Sequence, residues 1–268
     1  MTAFIRHYLL AVQFFTRVPV TGRLAEWVGF SPAMLRASAG HFPGVGMLVG
    51  ATAAGVYALF AVLSAPTTFT PLVAAVLSTI ATVLLTGGFH EDGLADVADG
   101  LGGSNDQARA LEIMKDSRVG AFGAMALSLA LLSKVALVAL LGSTDAELLT
   151  ICSALFAVHV VSRTLPLLLI AWLPHVGDVA ASKSKPLADQ ISPSSLLTAF
   201  LWCFTTLALV LCAQAATDLI VACSLSFIAL LCMYRLFKRR LQGFTGDCLG
   251  ATQQVCEIAF YLGLAIAL

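Results

Sequence analysis

The run Gly87-Gly88-Phe89-His90-Glu91-Asp92-Gly93-Leu94-Ala95-Asp96-Val97-Ala98-Asp99-Gly100 sets Asp92, Asp96 and Asp99 at i, i+4 and i+7, directly after a long apolar stretch. An α-helix advances about 100° per residue, so these offsets return to nearly one direction and one face would carry three carboxylates. Stacked carboxylates repel. A hard divalent cation, bound by oxygens and shared with substrate phosphates, is the species that offsets them. The competing reading is a solvated acidic loop, and the helical phase of the spacing argues against it. Gly87, Gly88, Gly93 and Gly100 strip side chains from around the cluster, which lets a bulky phosphate approach the backbone and makes Gly88 a candidate substrate contact. His90 reads as a base, a hydrogen-bonding partner or an interfacial histidine.

A second charged stretch, 109–123, stands before the next apolar segment. Glu112 and Asp116 are four apart, and Lys115 and Arg118 three apart, with Arg109 one turn earlier. Basic groups beside carboxylates fit a diphosphate held between a metal and guanidinium or ammonium donors. The alternative is a juxtamembrane helix whose bases touch anionic lipids. His159 and Arg163, four apart, lie inside an apolar segment. An arginine there is costly and faces the bundle interior with a partner, which suits a structural ion pair as well as substrate binding. Lys134 carries the same two readings, and snorkelling as a third. Asp247, in Gly246-Asp247-Cys248-Leu249-Gly250-Ala251, opens the last apolar segment as a metal ligand or as a carboxylate at a helix N-terminus. Glu257 is expected to reach the same cytoplasmic cavity. Gly44, Gly46, Gly50 and Gly55 read as close helix packing.

The elements that must position these groups are membrane helices. The chain has 268 residues, 59% hydrophobic and 11% charged, with mean hydropathy +0.93, whereas soluble domains carry about 25% charged residues. Segments near 44–65, 69–88, 121–142, 148–173, 195–214, 216–236 and 251–268 are long enough to span, since a bilayer core takes about 20 apolar residues as helix. The fold expected is all-α, a polytopic transmembrane bundle of about seven spans forming one domain over 1–268. Residues 1–43 would lie along the interface, anchored by Tyr8, Phe14, Phe15, Trp27 and Phe30. The apolar stretch 8–15 is too short to span, and no cleavable signal peptide is expected.

Apart from Lys134 and Arg163, every Lys and Arg would fall on the side of the N-terminus. That makes this side, and the acidic run with it, cytoplasmic. The seven cysteines show no CxxC pair or zinc spacing, so they read as small hydrophobes. The net charge of zero gives no sign of a nucleic-acid partner.

Taken together these blocks resemble the cobalamin synthase family, the adenosylcobinamide-GDP ribazoletransferases of vitamin B12 assembly. The resemblance rests on Phe15-Thr16-Arg17-Val18-Pro19, Phe42-Pro43-Gly44-Val45-Gly46, Gly87 to Gly100, Arg109, Glu112 to Gly120, Phe122-Gly123, Arg163, Gly246-Asp247 and Gly250-Ala251. The blocks His90-x-Asp92-Gly93-Leu94-Ala95-Asp96 and Met114-Lys115-Asp116-Ser117-Arg118-Val119-Gly120 are the specific ones. The segments between them, including 195–236, match only as apolar spans. Lys183 and Lys185 receive no role.

The resemblance implies Mg²⁺-dependent phosphodiester synthesis at the bacterial inner membrane, with the site on its cytoplasmic face. A hydroxyl of α-ribazole, or of its 5′-phosphate, attacks the cobinamide-side phosphorus of adenosylcobinamide-GDP, and GMP leaves. On this reading Asp92, Asp96 and Asp247 are metal ligands, and Asp99, or failing that His90, takes the hydroxyl proton. Lys115 and Arg118 bind the diphosphate, with Arg109, Arg163 and Gly88 as further substrate contacts. The partners are the two substrates, membrane lipid, and other cobalamin-assembly enzymes that hand over the corrinoid.

Two other functions compete. A membrane CDP-alcohol phosphatidyltransferase also displaces a nucleoside monophosphate from a diphosphate. Its motif, however, needs an Asp three residues before Asp92-Gly93 and an Ala-Arg after that glycine, and the chain has neither. An ion-coupled transporter would place its charges near the midplane, with an inverted repeat; here the acids gather at one face and no repeat is seen.

Overall fold

The computed structural model describes residues 2–144, 146–177 and 190–267. Among them the regular structure is helical, and extended segments pair only at an isolated bridge between His175 and Phe244. Lys183 and Lys185 lie outside the described residues. The chain opens with α1 (Thr2–Phe15), α2 (Gly22–Val28) and α3 (Pro32–Ser38), and a 3₁₀ turn, Ala39–His41, leads into α4 (Phe42–Leu63). The Ser31 hydroxyl accepts the Met34 N–H at 3.1 Å and Pro32 takes the first helical position, the usual start of a helix. Helical structure therefore runs unbroken over Pro32–Leu63, so the first membrane-length stretch begins earlier than the hydropathy alone suggests. The N-terminal segment is also packed onto the bundle: Phe15 is buried and stacks on Phe42 with ring centroids 4.2 Å apart. Trp27 and Phe30 stay exposed.

Next come α5 (Thr70–Thr86), α6 (Phe89–Gly103), α7 (Gln107–Ile113), α8 (Ala121–Gly142), α9 (Leu148–Thr164), α10 (Pro166–Trp172), α11 (Pro193–Val210), α12 (Ala216–Arg240) and α13 (Gly246–Ala267). Among the described residues six helical stretches are long and apolar enough to cross a membrane, or up to seven if the bent pair of α5 and α6 counts as one span. Large side chains such as Leu63, Leu84, Leu129, Leu132, Phe204 and Ile220 are exposed along these helices, as expected where the surrounding solvent is hydrocarbon.

The stretch α9–α10 is the most enclosed, 83% buried over its apolar window. It packs closely on α4 because Gly46 and Gly50 leave room for the backbone: a Cβ on Gly50 would stand 2.7 Å from the Phe156 carbonyl oxygen, and one on Gly46 would collide with that of His159. Gly44 seats the Trp202 ring, whereas Gly55 faces open space. Three of the four glycines thus serve packing, as their spacing suggested.

The turn that creates the site is Gly87-Gly88. Both are left-handed, at φ +71° and +70°, a conformation open to glycine at little cost. Two successive left-handed residues end α5 and swing the chain through 89°, so α6 cannot continue the path of α5. It runs instead across the end of the bundle, over the first turns of α8 and α13.

Candidate active site

The acidic run forms the helix its spacing predicts, with Asp92 exposed, Asp96 half-buried and Asp99 buried along α6. Asp247, in the first turn of α13, is brought against this face by a close backbone crossing. A Cβ on Gly93 would stand 2.8 Å from the Asp247 carbonyl oxygen, and one on Gly250 would stand 3.3 Å from the His90 Cα. Bare backbone on both helices lets them meet there. The Asp96 carboxyl is pushed up to about 7, first by burial and then by the charges of Asp247, Asp92 and Asp99. Four carboxylates from two helices therefore share one electrostatic environment.

Asp99 has a different environment from its neighbours. Its two carboxylate oxygens accept the backbone N–H of Gly120 at 2.7 Å and of Gly123 at 2.8 Å. These are donors at the start of α8 that no intrahelical carbonyl satisfies, so Asp99 caps α8 from a neighbouring helix. It also lines a cavity of about 590 Å³ together with Arg109, Glu112, Asp116, Arg118 and Phe122. In that cavity wall Arg109 pairs with Glu112 at 2.6 Å, and Arg118 binds Asp116 through Nε at 3.0 Å and Nη2 at 2.5 Å. The Arg118 guanidinium holds the Asp116 carboxyl down to about 2. Lys115 is exposed in the turn between Arg109 and Arg118. A second cavity, about 430 Å³, opens at the other end of α6, where Gly88 and Asp92 line it.

The remaining sequence-selected residues lie deeper. Arg163 and His90 are buried and line neither of these two cavities. Arg163 donates through Nη1 to the His159 carbonyl oxygen at 3.0 Å, lies 3.1 Å from His159 Nδ1, and faces the Phe42 ring at 5.8 Å. His90 stacks on Phe42 with ring centroids 5.5 Å apart, and neither of its ring nitrogens has a hydrogen-bond partner among the described residues. Glu257 departs from the sequence expectation. It does not join a cytoplasmic cavity but is sealed in the interior, 1% exposed, with Lys134 Nζ 2.5 Å from its Oε1. Burial requires the pairing, because a lone charge inside a bundle is far costlier than a paired one.

A chain of polar contacts runs from this pair back to the acidic helix. Gln253 donates to Glu257 at 2.6 Å and to Ser162 at 3.0 Å, while Gln254 donates to Gln253 at 2.9 Å and to Glu91 at 3.0 Å. Glu91 was not selected from sequence, although the signal was there. One residue before Asp92, it points about 100° away from the acidic face, which is the direction of the interior.

Among the described residues no three His, Cys, Asp or Glu side chains converge into a ready-made metal cage. The donor set nonetheless fits Mg²⁺. All four acids offer hard oxygens, and Mg²⁺ ordinarily takes only one or two carboxylates and completes its shell with water and substrate phosphates. The raised Asp96 carboxyl marks a charge density that a divalent cation would relieve.

These features define a polytopic, all-helical membrane protein with a carboxylate-lined site across one end of its bundle. The chain belongs to the family described as Cobalamin-5-phosphate synthase, whose model it matches over residues 7–265. It is 69% identical to the adenosylcobinamide-GDP ribazoletransferase of Polaromonas naphthalenivorans, with both chains covered in full. It is 72% identical to that of Polaromonas sp. strain JS666, over 100% of this chain and 99% of the relative. The Vibrio cholerae protein of the same name is 40% identical over 98% of this chain and 95% of its own. No solved structure matches the chain.

Proposed function

We propose that the chain is a Mg²⁺-dependent adenosylcobinamide-GDP ribazoletransferase acting at the cytoplasmic face of a bacterial inner membrane. The observation that carries the reading is the crossing of Gly93 on Asp247, which brings Asp247 to the face of Asp92 and Asp96, with Asp92 lining one cavity and Asp99 of the same helix lining another. Full-length identity to relatives bearing that name supports the reaction. The one-sided distribution of Lys and Arg supports the orientation.

The reaction forms a bond from a ribose hydroxyl oxygen of α-ribazole, or of its 5′-phosphate, to the cobinamide-side phosphorus. The bond from that phosphorus to the bridging oxygen breaks and GMP leaves. Such a transfer asks the protein mainly for positioning and charge neutralisation. Asp92, Asp96 and Asp247 would hold Mg²⁺, which when bound neutralises the charge that develops on the phosphate oxygens. The hydroxyl proton passes to a carboxylate of the same acidic face. Arg118 and Arg109 exchange their carboxylate partners for diphosphate oxygens in the larger cavity, and Lys115 adds charge at its edge. Asp99 fixes the start of α8 and with it the segment that bears Arg118. Arg163 and His90 stand behind this face in the buried interior.

The test is turnover on membranes containing the protein, supplied with adenosylcobinamide-GDP and α-ribazole in Mg²⁺ or in EDTA. Stoichiometric GMP and adenosylcobalamin, formed only with Mg²⁺, are expected. Correctly inserted protein that makes neither would overturn the reading.

A further inference from the structure

The smaller cavity contains a cation that the reading above leaves unused. Arg17, just past the end of α1, is pinned to the last turn of α5 by its backbone N–H, which donates to the Leu85 carbonyl oxygen at 2.7 Å. Its guanidinium lies against Gly87: a Cβ there would collide with Nε and stand 2.9 Å from Cζ and Nη2. Beside it, a Cβ on Gly88 would meet nothing within 4 Å, so the cavity floor is bare backbone facing open space. Gln13 and Asp92 also line the cavity.

The two arginines of the larger cavity are already held by carboxylates. Among the described residues the Arg17 guanidinium has neither an ion pair nor a hydrogen bond. A planar fork of donors, exposed and unpaired, matches a phosphate or carboxylate in bidentate geometry. Asp92 on the same wall repels a bare anion, and a phosphate that shares a divalent cation with Asp92 removes that repulsion. The cavity, about 430 Å³, has room for a sugar phosphate. The larger cavity has the paired arginines suited to a diphosphate, which leaves the smaller one for a phosphomonoester.

We infer that the cavity between Arg17, the Gly87-Gly88 turn and Asp92 is a phosphomonoester subsite, in which Arg17 binds the 5′-phosphate of a phosphorylated α-ribazole and sets the preference for that acceptor over the unphosphorylated one. The inference rests on the transferase reading above. Arg17 acts as a binding residue for the acceptor and takes no part in bond making.

The test compares wild type, Arg17→Gln and Arg17→Lys as full-length protein in membranes. The readout is the ratio of kcat/KM for α-ribazole 5′-phosphate to that for α-ribazole, at saturating adenosylcobinamide-GDP. Arg17→Gln should lower the ratio about tenfold, the size of one lost charge-assisted contact. Arg17→Lys, which keeps the charge and loses the fork, should fall between. An unchanged ratio overturns the subsite, even if both rates drop together, because a structural, diphosphate-binding or lipid-facing arginine would affect both acceptors alike. A binding arm separates this inference from the reaction itself. Inorganic phosphate with Mg²⁺ should raise the Tm of wild type and raise that of Arg17→Gln less. If wild type turns over neither acceptor, the transferase reading fails, and the phosphate-dependent Tm still decides the subsite: equal shifts in the two proteins overturn it.

Discussion

The carboxylate of Asp99 receives the backbone N–H of Gly120 at 2.7 Å and so ties the middle of the acidic helix to the start of α8. Gly123 donates to the other oxygen, and Cβ atoms on Gly120 and Gly123 would both collide with that carboxylate. An aspartate for which the resemblance implies a base role thus also holds two helices together.

Asp99→Asn should therefore lower stability, because the amide NH₂ would face an N–H that needs an acceptor. Asp99→Ala should lower it further by leaving both donors unmet, at about 1–3 kcal/mol for the buried Gly123 N–H and less for that of the exposed Gly120. Thermal unfolding in detergent, with and without Mg²⁺, measures this. A Tm equal to wild type for Asp99→Ala would remove the capping role.

Asp92→Asn and Asp247→Asn should each reduce turnover at least about a hundredfold, on the scale of losing an electrostatic contact made in the transition state. Membrane insertion and Tm should persist, since Asp92 is exposed and Asp247 half-buried. Gly93→Ala should lower turnover through geometry alone, since its Cβ meets the Asp247 backbone. GMP release by inserted protein is the readout, and wild-type rates in Asp92→Asn would dismiss the metal assignment.

The Asp96 carboxyl, raised to about 7 in the metal-free protein, gives a pH signature of defined sign. The folded state holds this proton between the ordinary carboxylate range, near 4, and about 7, so the associated stability is full below that window and is lost as pH rises through 7. In EDTA the Tm should fall between pH 5.5 and 8. Mg²⁺ should reverse the fall at pH 8 and release a proton on binding at pH 6, readable by calorimetry in buffers of different ionisation enthalpy. A flat Tm in EDTA across that range would contradict the shared environment of the four acids.

Breaking the buried pair should cost more than removing it. Lys134→Met removes the ion-pair partner of the buried Glu257 carboxylate and leaves it the Gln253 amide and His159 Nδ1 at 3.6 Å, a loss of up to about 3–5 kcal/mol, whereas Lys134→Met with Glu257→Leu should recover part of it. Urea or thermal unfolding of the single and double variants forms the cycle. Additive losses would show that the two charges do not depend on one another.

The sequence by itself determined what depends on local period and on total burial. An apolar composition with few charges demands a bilayer, and apolar length sets the membrane helices. The i, i+4, i+7 spacing is enough to align Asp92, Asp96 and Asp99, because helix geometry is local. The tertiary structure adds the turn at Gly87-Gly88, where both residues are left-handed. The direction of that turn, 89° across the bundle end, is not local, and nearly every refinement of the site follows from it. It carries α6 over α8, so that Asp99 meets two backbone donors, and over α13, so that Asp247 joins Asp92 and Asp96. It leaves Glu91 facing Gln254, and the Gly87 backbone beneath Arg17. The depth of Glu257 and the burial of Arg163 were likewise decided by which face each helix turns to its neighbours. Periodicity shows that a face exists, and only packing shows what that face meets.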